Sequence, residues 1–221
     1  MLVVENTIIT ENLFQITLDA EAVASSFKIP GQYVIITLEN QKPLYLVIAS
    51  SVGATKWTFL IRDTNPSTKA LKESKVGGKL NVSGPQGNGY PMSKLLGQNI
   101  VLFSAGTGLA SFYSVISEII NHRDEYQKVV LLHGSRLEAE LPFKEEMLNW
   151  VRNDIEVFVT LSKPTDSWAF HEGRVQDILR HEKIDLTEFK SLVCGPSQMT
   201  RDVAIVAGEF GLNQANIFTN F

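Results

Sequence analysis

The stretch SAGTGLASF, residues 104–112, directly follows the apolar run NIVLF at residues 99–103. An apolar run, two closely spaced glycines and then a stretch with helical apolar periodicity predict a strand, a tight turn and a helix. The N-terminus of such a helix offers backbone N–H groups and a positive dipole end to a phosphate. We therefore expect a nucleotide-binding turn, which consists of Gly106, Thr107 and Gly108.

The glycine spacing alone leaves a second interpretation open. A dinucleotide fingerprint has three glycines, and Ala110-Ser111 stands where the third would be. A tight strand-to-helix turn also uses glycine for backbone reasons alone, because glycine adopts conformations that other residues avoid. The interpretation of this turn therefore depends on the rest of the chain.

From residue 97 onward, apolar strands alternate with helical segments. This order predicts a doubly wound parallel α/β domain over residues 97–221. The predicted strands are residues 99–104, 129–135, 155–161, 191–195 and 216–221. The predicted helices are residues 109–120, 143–151, 174–182 and 199–210.

Residues 1–96 show a different pattern, of short alternating runs separated by turn residues. This pattern predicts an antiparallel β-barrel of the Greek-key type, so the fold class is α+β with two domains, 1–96 and 97–221. The predicted strands are residues 13–18, 32–40, 43–50, 57–63 and 79–84. Residues 67–74 (STKALKES) predict one short helix, which we expect its serine and threonine to cap.

Composition excludes several classes of function. The net charge of −4 and the dispersed lysines and arginines argue against nucleic-acid binding. The single cysteine cannot hold an iron–sulfur cluster, and the four histidines lack metal-ligand spacing, so we expect no metal. The chain has no signal-like N-terminus and no apolar run near the roughly 18 residues of a membrane span, so we expect a cytoplasmic protein.

Two further segments follow predicted strands in the second half. Ser135 and Arg136 stand where an acidic residue would hold the ribose of NAD, and this pair favours the 2′-phosphate of NADP, although Arg136 as a surface charge and NAD as the ligand stay open. Cys194 ends another predicted strand, before Gly195-Pro196, at the edge where such sheets bind ligands. A buried cysteine acting as a small hydrophobe is the alternative.

Taken in order, the motifs resemble the ferredoxin-NADP reductase family of flavoenzymes. The motifs are PGQYV (30–34), IAS (48–50), PSTKAL (66–71), GPQGNGYP (84–91), SAGTGLA (104–110), HGSR (133–136) and CGPSQM (194–199). The resemblance implies an FAD-binding barrel followed by an NAD(P)-binding domain. It assigns the nicotinamide nucleotide to Gly106, Thr107 and Gly108, and the adenosine phosphate to Ser135 and Arg136. It also makes Cys194 a catalytic residue near the nicotinamide, with Gly195, Pro196 and Met199 beside it.

The flavin motif of the family departs from its usual residues here. The family has Arg-x-Tyr-Ser before Ile-Ala-Ser, and this chain has Leu44, Tyr45, Leu46 and Val47 at those four positions. On the resemblance, we expect flavin contacts at Tyr45, Leu46, Val47 and Ser50, and pyrophosphate contacts at Ser67 and Thr68, where helix capping is the alternative. Phe221 resembles a C-terminal aromatic that covers the flavin and acts in catalysis, unless it only packs at the sheet edge.

The resemblance implies an NAD(P)H-dependent oxidoreductase. Hydride would pass from the nicotinamide to bound FAD, and electrons would then pass to an external acceptor such as a ferredoxin, a flavodoxin or a partner subunit. Two alternatives stay open. One is a flavin reductase that uses FAD or FMN as a dissociable substrate, and the other is a non-catalytic nucleotide-sensing subunit without flavin.

Overall fold

The computed structural model describes residues 1–220. The chain forms two compact units. The first consists of Met1–Gly89 together with Ala110–Glu118, and the second consists of Tyr90–Leu109 together with the chain from Ile119 onward. The domain bounds predicted from the sequence, 1–96 and 97–221, stay a prediction.

Two three-stranded antiparallel sheets build the first unit. One sheet has the order β1-β2-β5 and the other β4-β3-β6, in agreement with the antiparallel fold predicted for this half. The strands are β1 (Val3–Thr10), β2 (Leu13–Asp19), β3 (Tyr33–Thr37), β4 (Leu44–Val47), β5 (Lys56–Arg62) and β6 (Asn81–Gln86). A 3-10 helix spans Glu21–Ser26, and the only α-helix before residue 90 is α1 (Pro66–Lys72).

The core of the first unit follows the alternation of its strands. Phe14 and Ile16 on β2 and Val34 and Ile36 on β3 are fully buried in one apolar cluster with Trp57. Successive side chains of a strand point to opposite faces, so every second residue faces this core. Each such side chain contributes roughly 1.5–3 kcal/mol on burial, which fixes the register of β3 and its neighbours.

The second unit contains a six-stranded parallel sheet of order β10-β9-β8-β7-β11-β12, which confirms the predicted α/β fold. Its strands are β7 (Asn99–Ala105), β8 (Val129–Ser135), β9 (Glu156–Leu161), β10 (His171–Glu172), β11 (Phe189–Cys194) and β12 (Ile217–Phe218). The chain moves from β7 to one side and later returns to β11 on the other side. The gap between the carboxyl ends of β7 and β11 is therefore the switch point where ligands bind in such sheets.

Helices complete the second half of the chain. They are α2 (Leu109–Asn121), α3 (Lys144–Arg152), α4 (Asp177–Glu182) and α5 (Ser197–Glu209). Most of α2 belongs to the first unit, where the Ser114 hydroxyl accepts a hydrogen bond of 3.0 Å from the Gly31 backbone N–H. None of the helices formed by residues 1–220 has the length and apolarity to cross a membrane.

Candidate nucleotide and flavin sites

The turn after β7 has the shape of a nucleotide-binding loop. Gly106–Gly108 form one 3-10 turn between β7 and α2. Gly106 has a φ of 54°, and the position of a Cβ there has no other atom within 4 Å. Such a φ favours glycine, and the space over the turn stays open to a ligand. The phosphate of a nucleotide therefore fits this turn.

Gly108 is required for a different reason, which is its contact with the end of β11. A Cβ on Gly108 would collide with the backbone carbonyl oxygen of Cys194 and would lie 2.8 Å from the carbonyl carbon. The two strands are in register here, because Cys194 pairs with Ser104. Only glycine lets the turn and the end of β11 approach so closely.

The CGPSQM segment (194–199) lies at the same edge of the sheet, at the carboxyl end of β11. A Cβ on Gly195 would lie 2.7 Å from the Sδ atom of Met199 and 3.4 Å from the Ala105 backbone nitrogen. Pro196 precedes the first turn of α5, and Met199 is buried. Cys194 is partly exposed at the carboxyl end of β11. The structure thus brings Gly106, Thr107, Gly108, Cys194, Gly195 and Met199 together at the switch point.

A buried histidine connects the ends of β7 and β8. The Nδ1 atom of His133 lies 2.8 Å from the Ser104 hydroxyl, and its Nε2 atom lies 3.4 Å from the Ser135 hydroxyl. Burial lowers the pKa of His133 to about 3, because the charged ring would lose its hydration. The histidine is therefore neutral at physiological pH. Ser135 is itself buried, so its hydroxyl faces this network.

Arg136 lies beside a second cation that the sequence interpretation missed. The backbone N–H of Lys163 donates to the Arg136 carbonyl at 2.9 Å, and that of Ser162 donates to the Ser135 carbonyl at 3.0 Å. Arg136 and Lys163 are both exposed, and neither forms an ion pair with another residue of the described chain, residues 1–220. Neighbouring strands lie about 4.8 Å apart. The sequence offered one signal for Lys163, because this residue follows the end of a predicted strand, as Arg136 does.

The strand at the predicted flavin site turns its side chains in alternate directions. Leu44 and Leu46 pair with Ile36 and Val34, and they pack against the core of the first unit. Tyr45 is on the other face and is 66% exposed. Val47 shares that outer face, because it pairs with Tyr33. Side-chain contact with a ligand outside the barrel is thus available to Tyr45 and Val47, and Leu46 can contribute its backbone.

The remaining residues expected at the flavin are engaged inside the first unit. The buried Ser50 hydroxyl accepts a hydrogen bond of 2.9 Å from the Thr58 backbone N–H. Asn65 is the N-cap of α1 and Thr68 completes a capping box with it, so the expected capping role is confirmed for Thr68, although the N-cap itself is Asn65. The Thr68 hydroxyl accepts hydrogen bonds from the backbone N–H groups of Thr64 and Asn65, both at 3.0 Å. Ser67 is buried, and Phe221 lies outside the described residues.

The residues present fit the two expected cofactors unequally. The second unit offers a nucleotide an open glycine turn and two exposed cations on neighbouring strand ends. The first unit offers a flavin an exposed aromatic residue, while the position of the pyrophosphate arginine holds a leucine that is 8% exposed. No group of three or more His, Cys, Asp or Glu side chains within residues 1–220 has a metal-binding arrangement.

Comparison with known proteins agrees with this geometry. The model of the oxidoreductase NAD-binding domain family matches residues 102–204. Sulfhydrogenase 2 subunit gamma of Pyrococcus furiosus is 26% identical over 94% of this chain and 77% of its own length. The ferredoxin–NADP reductase of Azotobacter vinelandii is 29% identical over 82% of this chain and 79% of its own length.

A solved structure extends the likeness to the fold. The crystal structure of a ferredoxin NADP⁺ reductase from Neisseria gonorrhoeae, with bound FAD and NADP, superposes with a TM-score of 0.82 and 15% sequence identity. The superposition covers 99% of this chain and 96% of that chain. The family match and these relatives together support a ferredoxin-NADP reductase-like family of FAD- and NAD(P)-binding oxidoreductases.

Proposed function

We propose that the protein is an NAD(P)H-dependent flavin oxidoreductase that passes electrons to an external acceptor. The observation that carries this proposal is the glycine turn at Gly106–Gly108, which is open above Gly106 and closed against β11 at Gly108. We propose the bounds 1–96 for the flavin domain and 97–221 for the nucleotide domain.

The residues of the second unit would bind and orient the nucleotide. The backbone of Gly106, Thr107 and Gly108 would hold the pyrophosphate at the positive end of α2, which has 13 residues. Arg136 and Lys163 would contact the 2′-phosphate of NADP, because guanidinium and ammonium groups are the usual partners of phosphate. Since the Ser135 hydroxyl is turned towards His133, Ser135 would support the strand end more than it contacts the ligand.

The nicotinamide end would lie at the switch point. Cys194 ends β11 there, and the Met199 side chain covers Gly195 beside it. These groups would exclude water and fix the plane of the nicotinamide ring, with Pro196 at the start of α5. A bound flavin would supply the hydride acceptor and the route for electrons to a second acceptor. Alignment of the two rings is the main contribution of the protein to such a reaction.

A dissociable flavin is the second candidate, and Leu44 favours it. The buried leucine offers no positive charge where the family has the arginine that binds the FAD pyrophosphate. Without that ion pair, we expect weaker flavin binding, so FAD or FMN would act as a substrate that enters and leaves.

For the main proposal, the electron acceptor would be a partner subunit or a small redox protein, since the relatives named above are a sulfhydrogenase subunit and a ferredoxin–NADP reductase. We propose a cytoplasmic location for this reaction.

The visible spectrum of the purified protein tests the proposal. We expect flavin absorbance, together with oxidation of NADPH or NADH when a dye acceptor is present. Colourless protein that becomes active only when FAD or FMN is added would indicate the flavin reductase. Colourless protein that stays inactive with added flavin would overturn both candidates and leave a nucleotide-sensing subunit.

A further inference from the structure

A polar row crosses the carboxyl ends of three neighbouring strands of the parallel sheet. The register pairs Cys194 of β11 with Ser104 of β7, and Ser104 with His133 of β8. Ser104 and His133 are fully buried, and the four residues before each of them are apolar and buried. Burying an imidazole ring costs free energy unless the ring is hydrogen-bonded, and no step of the proposed reaction uses this ring. The presence of a histidine here therefore needs an explanation.

Hydrogen bonding decides which ring nitrogen of His133 carries the proton. Burial lowers the pKa of His133 to about 3, so the ring is neutral and has one N–H group. The Ser135 hydroxyl donates to the Glu140 carbonyl at 3.5 Å, so its oxygen can accept from Nε2 at 3.4 Å. Nδ1 is then unprotonated, and it accepts the hydroxyl proton of Ser104 at 2.8 Å. The shorter contact, to Ser104, is the stronger of the two.

The Ser104 end of this hydrogen bond lies beside the nucleotide turn. Ser104 comes two residues before Gly106, and the residue between them is Ala105, whose methyl group cannot form a hydrogen bond with the turn. The other end of the turn is held by the close contact between Gly108 and the carbonyl group of Cys194. The bond from Ser104 to His133 therefore ties the strand end that leads into the turn to the neighbouring strand β8.

We propose that His133 is a positioning residue for the nucleotide turn, and that it holds the end of β7 in place through the Ser104 hydroxyl. This inference rests on the proposed function, because it assumes that the turn binds NADPH or NADH. Backbone N–H groups bind a phosphate well only when they already point at it, since ordering them costs part of the binding free energy. The ring is fully buried, so it acts through Ser104 and not by contact with the ligand.

Nucleotide titration of two single variants tests this role. Ser104→Ala and His133→Leu each remove one partner of the hydrogen bond. Each should raise the dissociation constants of both NADPH and NADH about tenfold, the factor expected for about 1.4 kcal/mol. The two nucleotides share the pyrophosphate, so the ratio of their constants should not change. In steady-state kinetics KM should rise while kcat stays unchanged, because the turn binds the ground state and the transition state alike.

The double variant separates positioning from a general loss of stability. Each single variant leaves a buried polar group without its partner, so the free energy of unfolding in urea should fall. Ser104→Ala combined with His133→Leu removes both groups, so it should regain part of that stability while the dissociation constants stay about tenfold raised. His133→Asn should restore near-wild-type affinity, since its amide lies near the position of Nδ1 and can still bond to Ser104.

A control in the first unit separates this inference from the proposed function. Thr17→Val removes a buried hydroxyl that bonds to the Thr58 hydroxyl at 3.1 Å, so it should lower stability and leave both nucleotide affinities unchanged. Wild-type affinity in Ser104→Ala and His133→Leu, or affinity that returns with stability in the double variant, would overturn the positioning role alone. Ser104→Ala carries the test by itself if His133→Leu does not fold. Failure of the wild-type protein to bind either nucleotide at millimolar concentration would overturn the proposed function together with it.

Discussion

The turn at Gly106–Gly108 and the strand at Leu44–Val47 are both expected cofactor sites, yet the first kept the family pattern and the second did not. The turn would bind phosphate with backbone N–H groups, which every residue type except proline carries. The strand relies in the family on an arginine, a tyrosine and a serine, and each can be lost by one substitution. A binding site made of backbone N–H groups requires space that is free of side chains, and the sequence shows this requirement as glycine.

This difference predicts which changes each region tolerates. In the turn, adding a side chain is harmful and exchanging an exposed polar one matters little. On the strand, the loss of one side chain can be offset only by another that reaches the same ligand, and the two-residue alternation decides which residues can do so. Four predictions test this comparison.

The largest effect should come from Gly108→Val. The added side chain collides with the carbonyl group of Cys194, so the turn and the end of β11 must separate. We expect the dissociation constants of NADPH and NADH to rise at least 100-fold, roughly 2.7 kcal/mol, with flavin binding unchanged. Isothermal titration calorimetry measures this.

Gly208→Ala is the matched control, because Gly208 lies in α5 with no atom within 4 Å of its Cβ position. Replacing glycine by alanine inside a helix should stabilise the protein by roughly 0.5–1 kcal/mol and leave both affinities unchanged. A Gly108→Val protein that binds nucleotides normally would show that the turn is only a chain reversal.

Acid should weaken the unit that carries the nucleotide turn, through His133. Its pKa falls from 6.5 to about 3 in the folded protein, so between these values the unfolded chain binds a proton that the folded chain does not. The free energy of unfolding therefore decreases as the pH falls through this window, by up to about 1.4 kcal/mol per pH unit. Urea unfolding at pH 7, 6, 5 and 4 measures this slope.

His133→Asn should remove most of that slope, because asparagine has no proton to gain. Exposed His122 supplies the control, and His122→Asn should retain the wild-type dependence. If His133→Asn and the wild type lose stability in parallel between pH 6 and pH 4, then His133 is not the acid-sensitive group of the second unit.

The adenosine end of the nucleotide site should behave more like the flavin strand, since side chains bind there. Arg136→Ala and Lys163→Ala should each raise the KM for NADPH about tenfold, the loss of one charge-assisted contact of about 1.4 kcal/mol. Neither should change the KM for NADH by more than about twofold, because NADH lacks the 2′-phosphate. Steady-state kinetics with a dye acceptor give both constants.

The control for these two variants is Arg152→Ala, which removes an exposed arginine at the end of α3. It should leave both KM values unchanged. Equal losses with NADPH and NADH in Arg136→Ala would remove the NADP preference and return Arg136 to a general surface charge.

The sequence predicted the elements with strong periodicity and missed those without it. The runs at β7 and β8 are almost continuously apolar because both faces of a parallel sheet are covered. β1 (Val3–Thr10) was missed, since most of its residues are at least partly exposed and its polar residues interrupt the alternation. β10 has only two residues, too few for any pattern. The start of α1 was placed one residue too late, at Ser67, because Pro66, which is typical of the first helical position, was not weighed.

Tertiary contacts were the part of the sites that the sequence could not supply. The helical pattern of α2 was clear, but its packing in the first unit includes a hydrogen bond between Ser114 and Gly31, which are 83 residues apart. In the same way, Lys163 becomes a neighbour of Arg136 only through the pairing of β8 and β9. The direction of Tyr45 also depended on the register of β3 and β4.

The smallest effect on cofactor binding should come from Ser50→Ala, and it sharpens the comparison on the flavin side. Ser50 follows the altered flavin motif, but its buried hydroxyl accepts the hydrogen bond of the Thr58 N–H. Its removal leaves that N–H without a partner, so the free energy of unfolding should fall by about 1–3 kcal/mol. Flavin affinity should stay within about twofold, and Ser51→Ala should change neither quantity. A large loss of flavin affinity at unchanged stability would make Ser50 a cofactor ligand, and part of the family's side-chain site would then survive in this strand.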